Sequence, residues 1–559
     1  MPKVLIVAGY LAALLVLGLL ARRRAKPGHE DFFLASRSLG PLILFLTMAA
    51  TNFSSFTVFG FAGAGYRIGY AYYPIMAFGT GFMALSFLFI GIPVWRYGVK
   101  TGAITPTEII WHRFRNRPLH LVYLAVMMVF TLPYLALQPM GAGYALKGLL
   151  GLPYVWGAVI VVVVGVGYVL LAGLRGDAWT DVLQGFVMLA AMLAVFFGVA
   201  QALGGLSAAN AQVASRWPEL LTRPGGGGQF TYGIWFSYMA LWLLCDPMFP
   251  QLFQRFLAAK NERALRVTTL LYPLITGLLF FLPVAVGVMG RTVFPDLAAK
   301  ASDQVLPMVV AKLLPGWLGA LAMAGGLAAL MSTMDSQLLT LSSMFVRDVS
   351  SAATGRPAQP AWLRNLVIVV LAGAGLALAV RPLGTLLEIA TETFTGLAVL
   401  FPVTVAGIYW KRTNPWAGLG SIVAGEALVV LYHFKLLPAF GLLPAIPVVL
   451  VSAIVLVVGS LVRPARGLEP LTSLPKGWWR WFALSGLVFG LAHDFWWWRD
   501  SRPGPFGLPV WLWYHFGLIV VLFVLFWVLA AAGKPEEQKD RVGDADHTQH
   551  QPERERVTL

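Results

Sequence analysis

Charge is what this 559-residue chain lacks: Asp, Glu, Lys and Arg make up 12% of it, where an ordinary soluble domain carries about 25%. That shortage excludes a soluble enzyme, and a hydrophobic content of 58% points to a membrane protein instead. Cysteine is nearly missing as well. Its one copy, Cys245, rules out an intramolecular disulfide and any multi-cysteine metal site, and reads as a small apolar packing residue. Catalytic signatures are also wanting: there is no His and carboxylate cluster and no G-x-S-x-G elbow, and the Gly-Ala-Gly string at 63–65 has no strand before it. No enzyme activity and no organic cofactor are expected.

What is present is a series of apolar runs from Val4 to Leu529, each long enough to cross a hydrocarbon core of about 30 Å. Bounded by charge, Gly and Pro, they predict fifteen helices, near 4–21, 40–66, 71–95, 119–146, 153–174, 178–201, 230–251, 267–290, 316–345, 363–380, 385–410, 415–434, 443–462, 479–497 and 508–532. The fold class is therefore an all-α polytopic membrane protein, its partner surface a lipid bilayer. Basic residues follow the first run instead of preceding it and no clear cleavage site appears, so that run reads as a retained helix and not a signal peptide.

The net charge of +16 sits in short clusters between the runs, a pattern that reports topology and not nucleic-acid binding. Placing Arg22, Arg23, Arg24 and Lys26 inside puts the N-terminus outside and the C-terminus in the cytoplasm. With that phase 24 Lys and Arg fall in inner loops, 12 in outer segments and 5 in the tail, as expected of a cell (inner) membrane protein. The outer stretch 223–229, with four consecutive glycines, and the tail 534–559 read as mobile or disordered.

A charged side chain inside a spanning helix costs about 2.5 to 3.5 kcal/mol on insertion scales, so each one needs a partner, a water-filled cavity or a function. Asp181, Asp246, Asp335, Glu392 and Glu426 stand in that position. Asp181 lies near a predicted helix entrance, where a capping carboxylate is an equal reading; Glu426 is left without a role. Three polar clusters are sharper. In AALMSTMDSQLLTLSS, 328–343, Ser332, Asp335 and Ser336 share a helix face with Ala328 and Ala329 one turn earlier. Small residues admit another backbone, and hydroxyl and carboxylate oxygens suit a small alkali cation. In AATNFSSF, 49–56, Thr51, Asn52, Ser54 and Ser55 weaken a helix at the bilayer midplane and can free backbone carbonyls. In CDPMFPQ, 245–251, Pro247 and Pro250 interrupt another span. Interrupted helices in corresponding halves are the mark of an inverted-repeat transporter, although plain packing, hydrogen-bond glue and a proline kink would also account for the three clusters.

These strings resemble the sodium:solute symporter family, which includes sodium/proline, sodium/pantothenate and sodium/glucose transporters. AALMSTMDSQLLTLSS is similar to that family's eighth core helix. PYLALQ (133–138), TDVLQG (180–185) and PQLFQRFLAAK (250–260) are similar to parts of the third, fifth and sixth, and TPTEIIWHRF (105–114) and GIYWKR (407–412) fall at the expected loop and helix end. The likeness runs from about Asp31 to Val462. It implies a leucine-transporter-like (LeuT-like) fold of five plus five inverted-repeat helices with extra N- and C-terminal helices. The expected divisions are an extra helix and basic loop (1–39), a ten-helix transport core (40–412), additional spans (413–475), a two-helix hairpin (476–533) and the tail. The hairpin is weakly similar to the small two-helix proteins found with pantothenate-type symporters, though its tryptophans equally suit an interfacial belt.

The resemblance further implies sodium as coupling ion, held by backbone carbonyls of Ala50, Phe53 and Ala329 and hydroxyls of Ser332 and Thr333. Asp181, Asp335 and Ser336 are candidates for a second cation. Asn52, Ser54, Gln138, Asp246 and Glu392 are the expected solute contacts. Asn52 stands where the sodium/proline branch has an acidic residue, and the span 71–94 lacks the carboxylate of sugar-transporting members, so strictly proline-like and glucose-like sites are disfavoured. The expected activity is sodium-coupled symport of a small carboxylate, amino acid or vitamin-like solute by alternating access, with proton coupling and a transporter-like sensor as rivals.

Overall fold

The computed structural model describes residues 2–532 save 25, 27, 351–359, 383 and 475; the predicted disordered tail lies outside them. All fifteen predicted segments carry helix. Twelve are long and apolar enough to cross a membrane, and a bent pair makes a thirteenth. The other two are shorter: Tyr232–Cys245 stops at Pro247, and Trp478–Leu491 ends two residues before His493.

The chain runs through α1 (Pro2–Arg22), α2 (Pro41–Asn52), α3 (Phe61–Ile68), α4 (Tyr72–Thr101), the short α5 (Pro106–Phe114) and α6 (Arg117–Leu150). Next come α7 (Tyr154–Leu171) and α8 (Gly173–Ala202), then α9 (Leu206–Arg216), α10 (Tyr232–Cys245), α11 (Pro250–Ala258), α12 (Glu262–Val293) and α13 (Val305–Leu313). The remainder is α14 (Gly316–Met344), α15 (Ala361–Val380), α16 (Leu386–Tyr409), α17 (Pro415–His433), α18 (Ala445–Val462), α19 (Trp478–Leu491) and α20 (Val510–Ala532). The α7–α8 joint turns on Gly173, whose φ of 57° brings the backbone against Phe32 where a side chain would collide.

Burial sorts these helices into two classes. α4, α12 and α14 are enclosed over most of their length, whereas α1, α15, α17, α18 and α20 show most of their apolar surface at the rim, where lipid would cover it. α14 packs along α7–α8 and α6 at the centre, and α1 lies across the same α7–α8 and α14 group. Of the stretch read as mobile, Gly225 lies against the Ile68 carbonyl and Gly226 against that of Arg67, while Gly227, Gly228 and Gln229 are exposed. Beside it, buried Arg223 pairs with Asp494 between the last two helices and stacks 3.6 Å from the Trp235 ring centre. A cation with a carboxylate and aromatic faces orders what composition alone would leave loose.

Candidate functional site

The central feature is the break between α2 and α3, which meet at 59°. Helix α2 ends at Asn52, Phe53 turns to φ −88° and ψ 92°, and a π-turn over Phe56–Gly60 restarts the helix. A helix end leaves carbonyls without intrahelical donors. Here α14 meets them: Ser332 Oγ donates to the Ala50 carbonyl at 2.7 Å and Thr333 Oγ1 to the Thr51 carbonyl at 2.8 Å. Both hydroxyls also lie near the Ala329 carbonyl, at 3.0 and 3.3 Å. Ala50, Ala329, Ser332 and Thr333 thus converge, with the Thr51 carbonyl as an unforeseen member and Phe53 buried at the turn itself. Neutral, hard oxygens in this number suit a small alkali cation.

One turn towards the basic loops lies a buried ionic network that reshapes the expected second cation site. Arg255, counted in the sequence as an inner-loop residue, instead points from α11 into the core with 1% of its side chain exposed. Its Nη2 donates to Asp177 Oδ2 at 2.8 Å, Asp181 Oδ2 at 3.0 Å and Ser336 Oγ at 2.6 Å. Its Nε donates to Thr47 Oγ1 at 3.0 Å, and Thr47 in turn donates to Asp181. Asp181 and Ser336 therefore do come together, around a guanidinium, and Asp181 sits well inside α8 instead of capping it. Asp335 is not with them. A carboxylate three residues from Ser332 and one from Ser336 projects from another side of α14, towards Gly165 and Tyr10, and among the described residues neither of its oxygens has a hydrogen-bond partner.

The solute candidates divide as well. Asn52 and Asp246 line one cavity together with Thr80, Tyr134 and an aromatic wall that includes Trp242 and Phe394. Asn52 Nδ2 donates to the Tyr272 hydroxyl at 2.7 Å, while Asp246 Oδ2 and the buried Ser54 hydroxyl have no hydrogen-bond partner among the described residues. Gln138 does something else: its Oε1 accepts the Ser55 backbone N–H at 3.1 Å, satisfying a donor that the helix break exposes. Glu392 lies away from the cavity altogether, 68% exposed beside His433 at 3.5 Å, because its helix turns that face outward. Thr80, Tyr134 and Tyr272 were missed in the sequence, where single hydroxyls in apolar spans look like ordinary packing.

A model of the sodium:solute symporter family matches residues 32–425. The chain belongs to the sodium:solute symporter family. The symporter is 27% identical to the sodium/pantothenate symporter of Escherichia coli over 82% of this chain and 96% of that one. It is 26% identical to a high-affinity proline transporter of Bacillus subtilis, over 77% and 93% respectively. Its fold matches a Na+-coupled sialic acid symporter solved in a substrate-bound outward-open state, with a TM-score of 0.70, 19% identity, and 84% and 99% of the two chains covered. The symporter is thus a multi-pass membrane transporter with the leucine-transporter-like fold and Na+ as coupling ion.

In this structure the symporter is tied at both ends. At one, Asp303 pairs with Arg67 of α3 at 3.6 Å and accepts the Leu386 N–H that opens α16 at 2.8 Å, in space that Gly63 leaves free. At the other, Asp348 accepts from Thr105 and Thr107 and meets His120 Nε2 at 2.8 Å, while Arg347 pairs with Glu108 at 2.6 Å. Between them the cavity lined by Asn52 and Asp246 measures about 10 Å³, room for about one water.

Burial pushes the Asp303 carboxyl up to about 6, against the opposing pull of Arg67. A raised folded-state value means that the folded protein binds this proton more tightly than the unfolded chain, so the stability linked to Asp303 is fully present below about pH 4 and declines as pH rises to about 6. Across that window the apparent melting temperature of wild type should fall relative to Asp303→Asn in the same detergent. Parallel curves for the two proteins would remove Asp303 as the titrating group.

Proposed function

We propose that the symporter couples inward movement of Na+ to that of a small organic carboxylate bearing an amine or hydroxyl donor. The observation that carries the ion assignment is the pairing of freed Ala50 and Thr51 carbonyls with the Ser332 and Thr333 hydroxyls. These hydroxyls can turn their protons away and present lone pairs to the ion, with the Ala329 and Phe53 carbonyls completing the set. Because the same oxygens join α2 to α14, ion binding stabilises one packing of the broken helix against the bundle. The potential then contributes about 2.3 kcal/mol per charge and 100 mV.

For the solute, the relatives are named for pantothenate and proline and the structural neighbour for sialic acid; each carries a carboxylate and at least one donor group. Asp246 and Asn52, with Thr80 beside them, offer acceptors to such donors, and the aromatic wall excludes water. Asp177, Asp181 and Arg255 join α8 and α11 to Ser336 of α14 as a fixed ionic hinge next to the ion site, with Asp181 and Ser336 there in place of a free second cation. Residues 40–412 form the transport core, 1–39 and 413–533 flank it, and no catalytic step is involved. In this reading the basic loops face inward and the N-terminus lies outside.

Purified protein in liposomes should accumulate radiolabelled pantothenate, proline or sialic acid under an imposed Na+ gradient and not under a proton gradient alone. Equal uptake in the absence of Na+ would overturn the ion assignment.

A further inference from the structure

A second cavity of about 220 Å³ opens at the end of the bundle away from the basic loops, lined by Tyr66, Arg67, Glu219, Gln229 and Arg291 and by the side-chain-free backbone of Gly226–Gly227. Arg291, at the end of α12, is its unusual member. The guanidinium stacks over Tyr66 at 4.7 Å and Trp217 at 5.6 Å, yet among the described residues it forms no ion pair and its buried Nε has no hydrogen-bond partner. A caged, unpaired guanidinium on a cavity wall presents a planar fork suited to a carboxylate. Arg67, the other cation on the wall, holds the Asp303 latch at 3.6 Å.

From this we infer a vestibular capture site for the carboxylate of the incoming solute, built on Arg291 and Arg67 and separate from the central cavity. Helix α3 connects the two: its approach carries Phe56 and Thr57 in the central cavity, and its far end carries Tyr66 and Arg67 in the vestibule. A carboxylate held by Arg291 competes with Asp303 for Arg67, so arrival of solute loosens the tie between α3 and α16. Glu219, exposed on the same cavity's lining and without an ion pair among the described residues, favours a ligand that also carries a donor or a positive charge and repels a second anionic group. The site rests on the carboxylate reading given above.

The test is Na+-driven uptake of radiolabelled pantothenate, proline and sialic acid by full-length protein in liposomes, comparing wild type with Arg291→Gln and Arg291→Lys. For the solute that wild type carries, Arg291→Gln should raise KM about tenfold, the effect of one lost charge-assisted hydrogen bond, with kcat and Na+ half-saturation unchanged. Arg291→Lys should recover part of the loss. Wild-type KM should also rise with ionic strength at constant Na+, and the Arg291→Gln value should not. An unchanged KM in Arg291→Gln overturns the vestibular site alone. A wild type that moves none of the three solutes overturns the carboxylate reading and the site with it. A fall in kcat or a shifted Na+ dependence would make Arg291 a structural residue and not a capture residue.

Discussion

Replacing Arg255 by methionine is expected to cut the yield of folded protein and lower its apparent melting temperature more than any other single change at the site. The guanidinium sits between Asp177 and Asp181, both fully buried, and touches α2, α8 and α14 from its place on α11. Removing one partner of a buried ion pair costs about 3 to 5 kcal/mol, because the remaining charge is left without compensation, and that is a large part of a typical stability of about 5 to 15 kcal/mol. Arg255→Lys should recover little: an ammonium keeps the charge but cannot reach Thr47, Asp177, Asp181 and Ser336 from one planar fork. The combination Arg255→Met, Asp177→Asn, Asp181→Asn removes the stranded charges and should restore most of the melting temperature. Fluorescence-detected size exclusion and melting of the three variants decide the matter. A single Arg255→Met variant as stable as wild type would mean that the two carboxylates do not depend on the guanidinium.

That network also shows where sequence reasoning stopped. Span positions were legible because apolar runs bounded by charge repeat along the chain, and the break at 53–55 was legible because a polar run stood at mid-span. Partner choice was not. Arg255 looked like one of several inner-loop cations since PQLFQRFLAAK ends a broken helix, and only the fold turns that side chain inward. Asp177, one helical turn before Asp181 on the same face, carried a readable signal that was lost in placing a span boundary beside it. Asp335 and Ser336 are neighbours in sequence, but a helix separates adjacent residues by about 100°, so they serve different surroundings. Glu392 failed for a related reason: a carboxylate in an apolar run can lie on the outer face near a helix end, and that face is set by packing that no single helix reveals. The packing beside buried Arg223 was hidden for the same reason, because Asp494, Trp498 and Trp511, which surround that guanidinium together with Trp235, are distant in sequence.

The second large effect is expected from removing the two hydroxyls of α14 that meet the broken helix. Ser332→Ala and Thr333→Ala each delete an oxygen within 2.8 Å of a carbonyl that α2 leaves unpaired, so each removes a ligand for the ion and a link between α2 and α14. At about 1 to 3 kcal/mol per lost interaction to a charged or buried group, each single variant should raise the Na+ concentration for half-maximal uptake by roughly 5- to 150-fold. The double variant should show no Na+-dependent uptake in an experimentally accessible range. Because residues sharing one ligand are coupled, the double effect need not equal the sum. Ser342→Ala is the matched control: its hydroxyl bonds back to the Leu339 carbonyl of its own helix at 2.9 Å, so its loss should leave Na+ dependence within about twofold of wild type. Folding is monitored separately by melting temperature without Na+, which the single variants should lower only modestly since small cavities replace the hydroxyls. The diagnostic quantity is the stabilisation that added Na+ gives, which wild type and Ser342→Ala should show and the double variant should not. If Na+ raises the melting temperature of the double variant as much as that of wild type, the ion binds elsewhere and the pairing of α2 with α14 is structural alone.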